Sequence, residues 1–270
     1  MSCSRTIYTK NLAHLGDCIY SIIMFSHIKD YIETNKIIFY FYCLDENLKE
    51  VIDFNNSNNI IILPSSRATT SHHIYDLWIG SSEYKYNWYS FIDQTETILN
   101  YDVFFKTYYN KLFSILNIPI KIEKFTYNDD DLVTRCNNIN ATTNNAFMNI
   151  DFFINNGAPR SGQLDYNLDE WNAFIIELSK KYNVITTQKV HGIKCTRDYN
   201  LTVKDIAAVS LNIPKFIAIE SGVITGLYNK FVVDNPQKVV FTISKYSYHA
   251  CSFNNFIWVS GINKLKCLLY

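Results

Sequence analysis

Glycine and proline are scarce in this chain, with 8 and 5 among 270 residues. The chain is rich instead in Asn, Ile, Lys and Tyr, a mark of A/T-rich codons that describes a genome and not a chemistry. A surplus of charge is also lacking, since 25 acidic and 25 basic side chains cancel. Coating nucleic acid or an anionic membrane needs a basic surplus, so nucleic acid is not an expected partner. The seven cysteines are scattered and contain no C-x-x-C pair, which argues against a disulfide framework or a structural zinc site and fits a reducing compartment. No charged start followed by an apolar run opens the chain, so no secretory signal is read. The most apolar stretch, Cys18 to Phe25, is too short to cross a bilayer; a cytoplasmic location is the expectation.

Several catalytic signatures are missing as well. Neither G-x-G-x-x-G nor G-x-x-x-x-G-K-[ST] occurs, so a Rossmann dehydrogenase and a P-loop NTPase lack support. There is no G-x-S-x-G elbow of an α/β-hydrolase. His72 and His73 are adjacent and joined by no other ligand cluster, and Asp129-Asp130-Asp131 before Leu132-Val133 reads as a capped helix start. No metal site is expected.

What is present is a core. Apolar residues make up 48% of the chain and aromatics 16%, enough for one large α/β domain or two small ones. Strand and helix patterns alternate: a strand at Arg5–Lys10, a helix from about Asp17 to Glu33, a buried strand at Lys36–Cys43, a short helix at Asp45–Phe54, a strand at Asn59–Leu63 stopped by Pro64, and a helix at about Asn100–Asn117. Residues 138–145 lack apolar periodicity and read as a linker between domains 1–137 and 146–270. The alternation then restarts, with strands at Ala146–Ile154, Asn183–Thr187 and Lys215–Ile219. Helices are capped by Asn167 with Glu170 and by Thr202 with Asp205. Two parallel-sheet α/β domains facing across a cleft are expected, with ligands beyond the carboxyl ends of the strands.

Four loops after strands hold chemistry-bearing residues. In the first, His14, Gly16 and Asp17 lie between a strand and a helix; Gly16 permits a tight turn, and Asp17 is either a general base or only an N-cap, with His14 as its substitute. In the second, Glu220, Ser221, Gly222 and Thr225 follow a buried strand, where backbone N–H groups and hydroxyls offer a diphosphate site, or the whole is an ordinary turn. The third, residues 155–163, carries Arg160 and Ser161, and guanidinium pairs bidentately with phosphate. The fourth carries Lys189 and His191.

Taken in order, these positions resemble the GT-B glycosyltransferases, most closely the ADP-heptose:lipopolysaccharide heptosyltransferase-like group. Leu15-Gly16-Asp17 matches that group's first loop, whose Asp is the presumed base; Gly157, Arg160 and Trp171 stand in the order of its second-domain loop. Glu220-Ser221-Gly222 matches its late motif, with Thr225 where the group has His. The segment from Cys195 to Gly222 also resembles glycosyltransferase-like proteins of A/T-rich microbes and large DNA viruses. The resemblance implies a compact GT-B fold, a metal-independent transferase without a cofactor, a nucleotide-diphosphate sugar as co-substrate, and a glycan, lipid-linked or protein acceptor. It implies Asp17 or His14 as the base, and Gly16, Arg160, Ser161, Lys189, His191, Glu220, Ser221, Gly222 and Thr225 on the donor. Pyruvyl transfer on the same fold and a non-catalytic binding or structural protein are the rival readings.

Overall fold

The computed structural model describes residues 5–68, 73–77, 100–127, 129–157, 164–247 and 251–270. The chain forms two compact units, residues 1–127 and 128–270.

The first unit runs β1 (Arg5–Asn11), α1 (Leu15–Ser26), α2 (Lys29–Thr34), β2 (Ile37–Cys43), α3 (Leu48–Phe54), β3 (Ile60–Pro64), β4 (Ile74–Asp76) and α4 (Tyr101–Ile115). The strands are parallel in the order β3-β2-β1-β4. The chain therefore winds outward from β1 to β3 and returns on the other side at β4, which puts a topological switch point between β1 and β4. An aromatic core holds α1 and α4 against the sheet. Phe25 lies 5.0 Å from Phe39 and 6.1 Å from Phe41, and edge-on to Tyr109 at 6.0 Å. The helix expected to continue to Glu33 breaks at His27–Ile28, and the change of direction lets both Ile28 and Ile32 reach the core. Pro64 ends β3 from inside, paired with Cys43; an edge strand tolerates the missing N–H.

The second unit runs α5 (Asp131–Thr142), β5 (Phe152–Asn155), α6 (Leu168–Ser179), β6 (Val184–Thr186), β7 (Lys194–Cys195), α7 (Val203–Val209), β8 (Lys215–Ile219), α8 (Lys230–Val233), β9 (Val239–Ile243), β10 (Phe256–Val259) and α9 (Ile262–Leu269). Its sheet is parallel in the order β10-β9-β8-β5-β6-β7, with the switch point between β5 and β8. Both expected caps are formed. The Asn167 side chain accepts the N–H groups of Asp169 and Glu170, and Thr202 and Asp205 make a reciprocal capping box. The α6 face of Trp171, Phe174, Ile175 and Leu178 packs with Phe152, Ile154 and Ile217 of the sheet.

The division falls earlier than the expected linker at 138–145, which lies largely within α5. That helix presents only Leu132, Cys136 and Ile139 as a buried apolar stripe, so it reads as polar loop. It is held to the α7 region by charge as well. Lys204 pairs with Asp129 at 2.9 Å with both side chains nearly buried, and Arg135 pairs with Asp205 at 2.6 Å. The strand expected at Ala146–Ile154 is reduced to its last residues because Asn144, Asn145 and Asn149 take positive φ of 51°, 59° and 60°, which breaks the extended chain.

A short 3-10 segment, Gly222–Leu227, leans on α7 at one glycine: a Cβ on Gly226 would lie 2.9 Å from the Val203 carbonyl oxygen. Gly226→Ala is expected to lower stability by about 1–3 kcal/mol, since backbone has to move to admit one methyl. Urea denaturation of the two proteins checks this.

Candidate active site

In the first unit the candidate residues stand where β1 delivers the chain to α1, beside the switch point. His14 is the N-cap with extended backbone and is exposed, and its side chain makes no capping bond. Asp17 sits in the first helical turn, half-buried, and is not the N-cap. Gly16 lies inside the helix with no positive φ; the turn is made by Leu12–His14, so the tight-turn role expected of Gly16 is not realised.

Burial is the main influence on Asp17 and raises its pKa from 3.8 to about 6; the charge of His14 and the His14 backbone N–H oppose it. A carboxylate with that pKa is ionised at neutral pH yet basic enough to accept a proton from a hydroxyl. The loop is held by buried amides. Asn11 accepts the Ala13 N–H at 3.1 Å and donates to the Asp17 carbonyl at 3.0 Å and to Ser21 Oγ at 3.1 Å. Tyr109 donates to Ser21 Oγ at 2.7 Å, and Ser21 donates to the Asp17 carbonyl at 3.0 Å.

In the second unit the ends of β5, β6 and β8 are laced together at the switch point. Asn155, 1% exposed, donates to the Ile219 carbonyl and to Ser221 Oγ, both at 2.8 Å, and accepts from Thr187 Oγ1 at 3.0 Å. Asn156 accepts the Gln188 N–H at 2.8 Å, and its own carbonyl accepts from Tyr166 at 2.8 Å. Gly157 extends from this lattice; Arg160 and Ser161, the expected diphosphate clamp, lie outside the described residues.

Glu220 and Ser221 leave β8 at the same point. Glu220 is 5% exposed, and burial pushes its carboxyl well above the usual range. Ser221 and Gly222 are half-buried at the start of the 3-10 segment. Thr225 does not serve as the expected phosphate donor, because it is 1% exposed and its hydroxyl donates to the Gly222 carbonyl at 2.6 Å. The segment after this turn is only six residues of 3-10 geometry, too short to build much dipole. Lys189 and His191 are exposed on the loop between β6 and β7. Lys189 is paired with Asp198 at 3.0 Å, and neither residue takes part in the Asn155 lattice.

Reasoning from sequence passed over Asn47, Asn155, Asn156 and Thr187. Asn155 ends β5 and Asn156 and Thr187 directly follow β5 and β6, a positional hint only, and Asn47 stands four residues beyond β2.

No family model matches the chain, and no curated protein matches it. Solved structures do. The chain is similar to E. coli heptosyltransferase WaaC with ADP-2-deoxy-2-fluoro heptose, with a TM-score of 0.61 and 8% identity over 98% of both chains. It is also similar to a glycosyl transferase family 9 protein from Veillonella parvula, with a TM-score of 0.54 and 10% identity over 99% of this chain and 89% of that one. E. coli ADP-heptose lps heptosyltransferase II gives a TM-score of 0.58 and 7% identity over 95% and 91%. The chain thus has the two-unit, parallel-sheet GT-B fold of these glycosyltransferases. Among the described residues, no helix is long and apolar enough to cross a membrane.

Proposed function

We propose that this chain is a glycosyltransferase that moves a sugar from a nucleotide-diphosphate donor to an acceptor hydroxyl on a glycan, lipid or protein, without a metal or other cofactor. The observation that carries the reading is the joint occurrence of a GT-B fold and, after β1, an aspartate with a pKa of about 6. Asp17 takes the proton of the acceptor hydroxyl, with exposed His14 next to it to hold the developing charge or substitute for it. The second unit binds the donor. Ser221 and the Gly222 backbone face the diphosphate, joined by Arg160 and Ser161; Glu220 hydrogen-bonds a ribose hydroxyl; Lys189 and His191 extend the contact toward the base. Their combined task is to stabilise charge on the departing nucleoside diphosphate. The cytoplasm is the fitting location, where nucleotide sugars are made and the free cysteines Cys18, Cys43, Cys136, Cys195 and Cys251, all buried, stay reduced.

UDP-, GDP-, ADP- and dTDP-sugars, each assayed for binding and for slow hydrolysis, test this. One of the four is expected to bind below about 1 mM and to be hydrolysed, and Asp17→Asn to lose the turnover while keeping the affinity. Silence across all four at millimolar concentration would instead favour the non-catalytic reading. The inward-turned hydroxyl of Thr225, at the position of the resembled group's His, is what favours that second reading.

A further inference from the structure

The amide of Asn155 has a fixed orientation. Its neighbour at 2.8 Å, the Ile219 carbonyl, can only accept, so the amide atom facing it is Nδ2 and the other is Oδ1. Nδ2 has two hydrogens, and the second goes to Ser221 Oγ, also at 2.8 Å. Oδ1 receives the hydroxyl hydrogen of Thr187 at 3.0 Å. Thr187 has its own polarity set, because its Oγ1 accepts the Asn156 N–H at 3.2 Å. The rival acceptor for its hydrogen, Asn156 Oδ1 at 3.3 Å, is farther away and already takes the Gln188 N–H at 2.8 Å. Direction therefore passes from Thr187 through Asn155 to Ser221, whose oxygen is an acceptor in this lattice. The one hydroxyl hydrogen of Ser221 has to point elsewhere, and among the described residues no group accepts it. Ser221 is half-buried while Thr187 and Asn155 are buried, so its hydroxyl is the one member of the relay that a ligand can reach.

We infer that Thr187 is a positioning residue for Ser221: through Asn155 it sets the Ser221 hydroxyl as a hydrogen donor, and the ligand group met there is an acceptor oxygen such as that of a diphosphate. The inference deepens the proposed function and rests on it for the identity of the ligand. A hydroxyl that already accepts a hydrogen bond is polarised toward donating its own, so the relay strengthens the bond to an anionic oxygen. A ligand N–H in the same place would leave the Ser221 hydrogen without an acceptor and is disfavoured.

The first test needs no ligand. In the protein labelled with nitrogen-15, Thr187→Val, which puts a methyl in place of the hydroxyl, is expected to speed hydrogen exchange of the Asn155 side-chain amide at least about tenfold, and Thr187→Ser to keep it slow. Should the Val variant not fold, Thr187→Ala makes the same removal without setting a methyl against the amide oxygen. Exchange unmoved in a folded Val or Ala variant overturns the inference. The second test is affinity for UDP, GDP, ADP and dTDP. Ser221→Ala is expected to weaken the nucleotide that binds by about tenfold or more, the order of one hydrogen bond to a charged group, and Thr187→Val by about three- to tenfold. The double variant should bind as Ser221→Ala does alone, because Thr187 acts only through that hydroxyl. Losses that multiply in the double variant contradict the relay, as does a Thr187→Ser protein as weak as the Val one. If the parent chain binds none of the four, the nucleotide-sugar reading fails, while amide exchange still decides whether Thr187 sets the Ser221 hydroxyl, so the two failures are told apart.

Discussion

Asp17→Asn is expected to stop sugar transfer and, at neutral pH, to make the protein more stable. The loss of a positioned general base is worth about 10²–10⁴-fold in rate. The gain in stability has a separate origin. Burial raises the Asp17 pKa from 3.8 to about 6, so the folded state holds the proton more tightly than the unfolded chain. Between those two values the native protein binds more protons than the unfolded one, and stability falls as pH rises. The favourable contribution is complete below 3.8 and lost above about 6, where the fold carries an ion it would shed. Asparagine removes that cost at nearly the same volume. At pH 7.5 the variant is expected to gain about 1–2 kcal/mol, allowing for solvent at a half-buried group, and to gain nothing at pH 3.5. Urea titrations at both pH values check the sign. An aspartate acting as a helix-start group alone would show the reverse, a loss at pH 7.5.

The second large effect is expected at Asn155. Its one side chain serves the Ile219 carbonyl, the Ser221 hydroxyl and the Thr187 hydroxyl, joining the ends of three neighbouring strands. Asn155→Leu fills the same volume and leaves those buried groups without their amide. At about 1–3 kcal/mol for a buried polar group left unsatisfied, a loss of roughly 3–5 kcal/mol is expected. The same change frees Ser221, so nucleotide-sugar affinity should fall at least about tenfold under conditions where the variant remains folded. Asn155→Asp keeps the acceptor oxygen for Thr187 and loses the two donations, and should lie between parent and Leu variant. Differential scanning calorimetry and isothermal titration measure the two effects separately. Unchanged affinity in a folded Leu variant would show that the Asn155 lattice does not organise the donor site.

Much of this architecture was legible in the residue pattern, for identifiable reasons. The α1 sequence from Cys18 to Phe25 is apolar all round, and only a helix buried against a sheet accommodates that. The caps at Asn167 and Thr202 follow from short-range chemistry that tertiary structure did not override. Lys215–Ile219 is a strand with the expected bounds because both ends are marked, by Pro214 and by the polar turn at Glu220. The boundary at residue 127 was hidden because α5 holds its unit through Lys204–Asp129 and Arg135–Asp205, and ion pairs leave no apolar period. Strands β4 and β7, of three and two residues, are too short to show any alternation.

The candidate site divides in the same way. Glu220 and Ser221 could be picked out because they directly follow an apolar strand, and Asp17 because it is the one acid at the start of an apolar helix. Asn47 and Asn155 could not, because the chain is full of asparagine and the structural ones look like the solvated ones. Thr225 misled for a related reason: a hydroxyl carries no mark of whether it turns outward to a phosphate or inward to the Gly222 carbonyl.

The most direct test of the account is to map where a nucleoside diphosphate binds, using amide chemical shifts of the labelled protein titrated with UDP, GDP, ADP and dTDP. At least one nucleotide should perturb the amides of Asn155–Gly157, Gln188 and Ser221–Val223, the carboxyl ends of β5, β6 and β8. Perturbations that spare those amides, or none with any of the four at millimolar concentration, would contradict the assignment of the donor to the second unit.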